Sequence, residues 1–166
     1  MDTAALVASI DQLSAELQQT LAAFTTEQLN TIPFEGSWTA AQVAEHIQKS
    51  VNADVLYGKV EKRPAQEDKL EGLRKIFLNF DIKMQSPDFI IPSGRFHEKE
   101  ALLADLSERW QRISVAAQTL DLSLTCLDFE MPGMGYLTRY ELIGFFVVHT
   151  TRHIHQLKKI QPYVIK

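Results

Sequence analysis

Two of the five histidines in this 166-residue chain stand one helical turn apart near its C-terminal end, in the run HTTRHIHQLKKI that begins at His149. At positions i and i+4 of a helix, His149 and His153 project from the same face, so two imidazoles can reach one cation. The same spacing underlies the HExxH motif of metalloproteases, but here the segment reads HTTRH. The Glu that serves those enzymes as general base is missing, and the protease chemistry goes with it. Both histidines continue an apolar stripe through Leu142, Phe146 and Leu157, which turns them inward. An imidazole buried without a partner costs about 1–3 kcal/mol, and two side by side cannot both be protonated without strong repulsion. A shared divalent cation removes both difficulties. Taken alone, the pair also fits two core or surface histidines with no metal. His46 lies three residues after Val43, on the flank of another apolar helix face, and could supply a third ligand. Three protein ligands would leave a coordination position open for water or substrate.

Other polar residues are read differently. His155 falls about 200° round the helix from His153 and is expected at the surface or an interface. His97, beside Glu98 at a helix start, is expected to be a solvated residue of the cap region. Gln156 returns to the ligand side and suits a hydrogen bond to a ligand histidine. Arg95, Arg139 and Arg152 could grip an anion but are expected as solvated surface charges. Glu45 and Asp54 are the nearest carboxylates to His46 in sequence, and neither is assigned a catalytic role. Cys126 has no flanking signature of a nucleophile and is read as a buried, inert thiol.

Four segments have the periodicity needed to position these residues. Leu6, Ile10, Leu13, Leu17, Leu21 and Phe24 make one stripe, capped by Asp2 or Thr3 and ending near Asn30. Thr39 and Gln42 form a capping box for a second helix, whose face runs through Val43, Ile47, Val51 and Val55 to about Gly58. The third runs from about Glu98 to Leu120, with Leu103, Leu106, Trp110, Ile113, Ala117 and Leu120 on its stripe. The fourth starts at a second capping box, Thr138 with Glu141, and is expected to end at Pro162. Residues 59–97 hold Pro64, Pro87, Pro92, Gly94 and the charged run EKRPAQEDK. They are read as a long crossover connection carrying a helix-like piece, Leu70 to Phe80, because a featureless loop of this length is unusual. No run alternates well enough to predict a strand. The architecture expected is all-α, a four-helix bundle in one domain over residues 1–166.

The bulk composition, 45% hydrophobic and 23% charged with formal net charge −4, is that of a globular protein. Its scattered Lys and Arg argue against a nucleic-acid partner. The longest apolar run, Leu142 to Val148, is too short to span a bilayer. The N-terminus lacks the basic region of a signal peptide, and one cysteine fits a reducing cytosol. A cytoplasmic protein with neither a membrane nor a nucleic-acid partner is expected.

The run GSWTAAQVAEHI, Gly36 to Ile47, resembles the loop-to-helix segment of the DinB-like superfamily, in which a Trp precedes a capped helix carrying a metal histidine. HTTRHIHQLKKI resembles the closing helix of that superfamily, and FEMPGMGYLTRYELIGFF its lead-in. The resemblance implies an up-down-down-up bundle, often a homodimer, with a divalent ion, commonly nickel or zinc, on His46, His149 and His153. The run Phe145 to Val148 is read as leaving apolar surface for such a dimer. Members with assigned activity include bacillithiol transferases and mycothiol-dependent isomerases; others are regarded as metal-dependent hydrolases. The function expected is therefore thiol S-transfer to a small-molecule electrophile with a low-molecular-weight thiol as cosubstrate. The alternatives are metal-dependent hydrolysis, or a non-catalytic, metal-stabilised module for binding or dimerisation.

Overall fold

A computed structural model of the chain describes residues 2–63 and 69–165. The middle of the charged run, including Pro64, lies outside the described residues. Helix α1 spans Thr3–Ala22, with Asp2 accepting a hydrogen bond from Ala5 N. A short helix, α2, covers Thr26–Leu29; α3 covers Ala40–Ser50 and a further turn, α4, Asp54–Tyr57. Helix α5 is Leu70–Phe77, a 3₁₀ turn follows at Asp88–Ile90, and α6 is Lys99–Thr119. The long closing helix α7 runs over Arg139–Val164.

Four of these make the bundle. α1 packs on α6 and α7, and α3 packs on the same two. Between them lies a core that includes Ile10, Leu17, Ile47, Leu106, Trp110 and Leu157, each almost wholly removed from water. The capping boxes at Thr39/Gln42 and Thr138/Glu141 are both closed, each side chain taking the other's backbone N–H. α5, in the middle of the long connection, packs on α7. The contact is close because Gly144 has no Cβ: one placed there would lie 2.5 Å from Leu70 Cδ1.

Several expected boundaries move. The first stripe is broken after Ala22 because Thr25 forms its own capping box with Gln28 and starts α2. α3 stops at Ser50, after which Asn52 Oδ1 takes the amide of Asp54 and breaks the helical ladder. α5 ends three residues before the expected Phe80. Pro162 does not end α7. It sits in the last turn, where the carbonyl it leaves unbonded, on exposed Lys158, can be hydrated.

The strands were not foreseen. β1 (Val60–Glu61), β2 (Thr125–Met131) and β3 (Gly135–Thr138) form a small antiparallel sheet in that order. The PGMG segment reads as a loop but is the turn of the β2–β3 hairpin, with Gly133 and Gly135 both at positive φ. The sheet is minor, and the molecule is a helical bundle. Phe145, Phe146 and Val148 are buried within the chain itself, so this run does not supply the dimer surface expected of it. Among the described residues no helix is long and apolar enough to cross a membrane.

Candidate metal centre

His46 comes from the second turn of α3, and His149 and His153 come from successive turns of α7. All three side chains are buried, with relative exposures of 1%, 5% and 9%. Their rings meet where α3 and α7 pack. Nε2 of His149 lies 3.2 Å from Nε2 of His46 and 3.2 Å from Nε2 of His153. Among the described residues these three form the one group of His, Cys, Asp or Glu whose ligand atoms converge, all within 4.8 Å of one another.

The far sides of two rings decide where the protons sit. His46 Nδ1 is 2.9 Å from the carbonyl oxygen of Ile90. A carbonyl can only accept, so Nδ1 carries the hydrogen and Nε2 presents a lone pair. His153 Nδ1 donates in the same way to Gln156 Oε1 at 2.8 Å. His149 Nδ1 is buried without a partner, and the rings of Phe77 and Phe145 pack on this imidazole with centroids 5.7 Å and 5.3 Å from its own. A hydrogen on His149 Nε2 could satisfy one of the two facing lone pairs, never both. A divalent cation satisfies all three. Imidazole nitrogens about 2.0–2.1 Å from a tetrahedral ion stand about 3.3–3.4 Å from one another, close to the spacing observed. A donor set of three neutral imidazole nitrogens suits a divalent transition metal.

Electrostatics keeps the donors unprotonated. Burial pushes the His46 pKa down, opposed by its bond to Ile90 and aided by Lys49. Burial also lowers His149 well below the ordinary histidine value, reinforced by His153, His46 and Arg152. His153 is lowered to about 3 by burial and by His46, despite the Gln156 bond that favours its charged form.

Around the imidazoles opens a cleft of about 1210 Å³, walled by Trp38, Phe77, Phe80, Phe89, Phe129 and Phe145 among others. Trp38 leans on His46 with ring centroids 5.1 Å apart. Arg152, between the two α7 histidines in sequence, is not a solvated charge. It donates to the carbonyls of Phe77, Asn79 and Ile82 and so ties the wall-forming segment to α7. His155, expected at the surface or an interface, is half-buried and forms part of the cleft wall, stacked on Phe80 at 4.1 Å with the rings 9° from parallel. Arg95 remains exposed. Arg139 is buried instead and donates to the carbonyls of Leu56 and Asp121, fixing the start of α7 against the turns before it. Cys126 is buried at the sheet, its thiol pushed up by burial to about 11.

A second cluster, hidden from sequence reasoning, lies behind His46. Glu45 is buried and takes hydrogen bonds from Ser93 N at 3.0 Å, Ser93 Oγ at 2.8 Å and His97 Nε2 at 2.9 Å, with Lys49 Nζ at 3.1 Å. Burial raises its pKa, but Ser93, Lys49 and His97 outweigh that and hold it at about 2. His97 is therefore a buried partner of Glu45 and not a solvated cap residue. Gln42 donates to the Ser93 carbonyl and Lys49 to that of Ile91. Four side chains of α3 thus fix residues 90–93, the stretch that presents the Ile90 carbonyl to His46. The signal available in sequence was the 3–4 residue spacing of Gln42, Glu45, His46 and Lys49; their common partner lies more than forty residues away.

A sequence model of the DinB superfamily matches residues 9–157. No curated protein matches the chain in sequence. Among solved structures, the chain is similar to YfiT from Bacillus subtilis, described as a probable metal-dependent hydrolase with an unusual four-helix bundle topology. The two share 18% identity with a TM-score of 0.60, over 96% of this chain and 86% of that one, a likeness of fold.

Proposed function

Taking as premise that this chain belongs to the DinB superfamily, we propose that His46, His149 and His153 hold one divalent ion, nickel or zinc, and that the protein is a metal-dependent enzyme acting on a small molecule. The observation that carries this reading is the convergence of three neutral Nε2 atoms, in two contacts of 3.2 Å, at the floor of a large cleft. Three protein ligands leave a position open toward that cleft. When bound, the ion supplies Lewis acidity that brings a coordinated thiol or water to its deprotonated form near neutral pH.

The chain's own residues do the rest. Burial keeps the imidazoles unprotonated, and Ile90 and Gln156 fix which nitrogen of His46 and His153 faces inward. Trp38, Phe77 and Phe145 form an apolar surround that keeps bulk water from the reacting end of the cleft. Glu45 is unsuited to proton transfer: its carboxylate is occupied by four donors and is held at about 2.

Within this reading we favour S-transfer, with a low-molecular-weight thiol as the nucleophile and a small electrophile as its acceptor. A thiol ionises at about pH 8.5 unaided, far more readily than water. It asks less of a site whose adjacent acid is committed elsewhere. Hydrolysis is the alternative, and the description of YfiT supports it.

Metal content of untagged protein tests the site. We expect about one ion per chain, lost in His149→Ala; equal and negligible metal in both would overturn it. Turnover of an electrophilic model substrate that requires an added thiol and disappears in His153→Ala would support S-transfer. Thiol-independent ester cleavage would favour hydrolysis.

A further inference from the structure

The cleft carries a charge pattern opposite to that of the chain. The protein has formal net charge −4, yet Lys49, Lys83, Arg152 and Lys159 line the cleft against only Asp88 and Asp128. Most of these groups are already committed. Lys49 is paired with Glu45 and donates to the Ile91 carbonyl. Arg152 is spent on the carbonyls of the 77–82 segment, and Asp128 accepts from Lys59 N. Two cations and one carboxylate, that of Asp88, are left over, so the uncommitted charge is still positive. Lys83 lies on the segment between α5 and the 3₁₀ turn, and Lys159 lies on α7 beyond His153. Among the described residues neither ammonium has a hydrogen-bond or ion-pair partner.

The remaining lining is rich in aromatic rings, several of them open to solvent. Phe80 is 38% exposed and Phe89 62%, so their apolar faces are available to a ligand rather than used up in the core. Phe80 already stacks a flat ring, that of His155. A volume of about 1210 Å³ exceeds what a single ion and its waters need and lies above the roughly 300–1,000 Å³ usual for small-molecule pockets. Aromatic walls reward a flat apolar body, and uncommitted ammonium groups at a cleft draw in negative charge.

We propose that the cleft takes an amphipathic anion: a flat apolar body, such as an aromatic ring system, bearing a carboxylate, sulfonate or phosphate that Lys83 and Lys159 receive. That this molecule is a substrate rests on the metal-dependent function proposed above. That the cleft binds it does not.

The test is calorimetric titration of the full chain, metal-loaded and after chelator treatment, with 2-naphthalenesulfonate, the neutral 2-naphthylmethanol, and methanesulfonate. The sulfonate is expected to bind about fivefold more tightly than the alcohol at low ionic strength, the scale of two exposed ion pairs. Added salt should erode the difference, and methanesulfonate should bind far more weakly than either. Lys83→Ala with Lys159→Ala should abolish the preference while leaving the alcohol's affinity unchanged. Equal affinity for sulfonate and alcohol, a preference that survives the double replacement, or methanesulfonate binding as tightly as naphthalenesulfonate would each overturn the proposal. A preference confined to metal-loaded protein would overturn it too, since the anion would then be on the metal. Negligible metal together with an intact, lysine-dependent preference would remove the metal reading and leave this one standing.

Discussion

The Ile90 carbonyl and the His46 imidazole, 44 residues apart in sequence, share a 2.9 Å hydrogen bond that sets the tautomer of the histidine. The acceptor is main chain, so no side-chain replacement at position 90 deletes it. The bond can be lost only by moving the segment that carries it. The corresponding bond on His153 is made by a side chain, and the two can therefore be tested in different ways.

Gln156→Ala removes the acceptor from His153 Nδ1. Metal affinity should fall about 10–100-fold, the usual cost of losing a partner behind a ligand histidine. Gln156→Glu should retain it. Competition with a chelator of known affinity measures both, and unchanged affinity in the alanine variant would refute the orienting role.

Glu45→Ala removes the anchor of residues 90–93 and leaves His97, Ser93 and Lys49 without their shared acceptor. Breaking a buried ionic contact from one side costs about 3–5 kcal/mol. We expect a loss of that order in urea unfolding of metal-free protein, with a smaller loss in Glu45→Gln, whose amide oxygen can still accept. Faster hydrogen exchange at the Ser93 amide should accompany it, and an unchanged exchange rate would disprove the anchoring.

Gly144→Ala places a methyl group 2.5 Å from Leu70 Cδ1. The Leu70 side chain must turn aside or α5 must yield with it, at a cost of about 1–3 kcal/mol typical of an overfilled contact. Phe77 rides at the end of α5 and faces His149. The same variant should therefore alter ligand binding in the cleft, although residue 144 contacts neither metal nor ligand. Thermal unfolding and naphthalenesulfonate titration check the two effects.

Glu141 gives the pH dependence a definite sign. Burial raises its pKa, but the Arg63 guanidinium and the amides of Thr138 and Lys69 bring it below its ordinary value of 4.5. A carboxylate lowered by folding stabilises the native state above its unfolded pKa, and the contribution is lost as pH falls through the lowered value. The stability gap between wild type and Glu141→Gln should be full at pH 6 and shrink below about pH 4.5. A gap that stayed constant from pH 6 to pH 3 would show that the charge contributes nothing.

The parts of the molecule that could be read in sequence are those governed by local rules. The inward stripes of α1, α6 and α7, the capping boxes at Thr39 and Thr138, and the shared face of His149 and His153 all depend on neighbours within four residues. His97 and Arg139 were misread because their partners, Glu45 and the Leu56 and Asp121 carbonyls, are supplied by tertiary packing. A charged side chain without a visible partner is taken for a solvated one. The β2–β3 hairpin escaped because the pairing of β2 is irregular between Thr125 and Glu130, β3 has only four residues, and the turn contains both Pro132 and Gly133, punctuation that also marks an ordinary loop.

Arg152 lies between the two α7 histidines, in the stretch where the protease form of this spacing carries its general base. Here it clasps three carbonyls of the neighbouring segment. One turn of helix therefore carries both kinds of group: the histidines supply converging nitrogens, and the arginine holds the segment that walls the space above them. Substitution at position 152 would therefore alter two things at once: the wall formed by residues 77–82, and the positive charge that helps to keep His149 and His153 unprotonated.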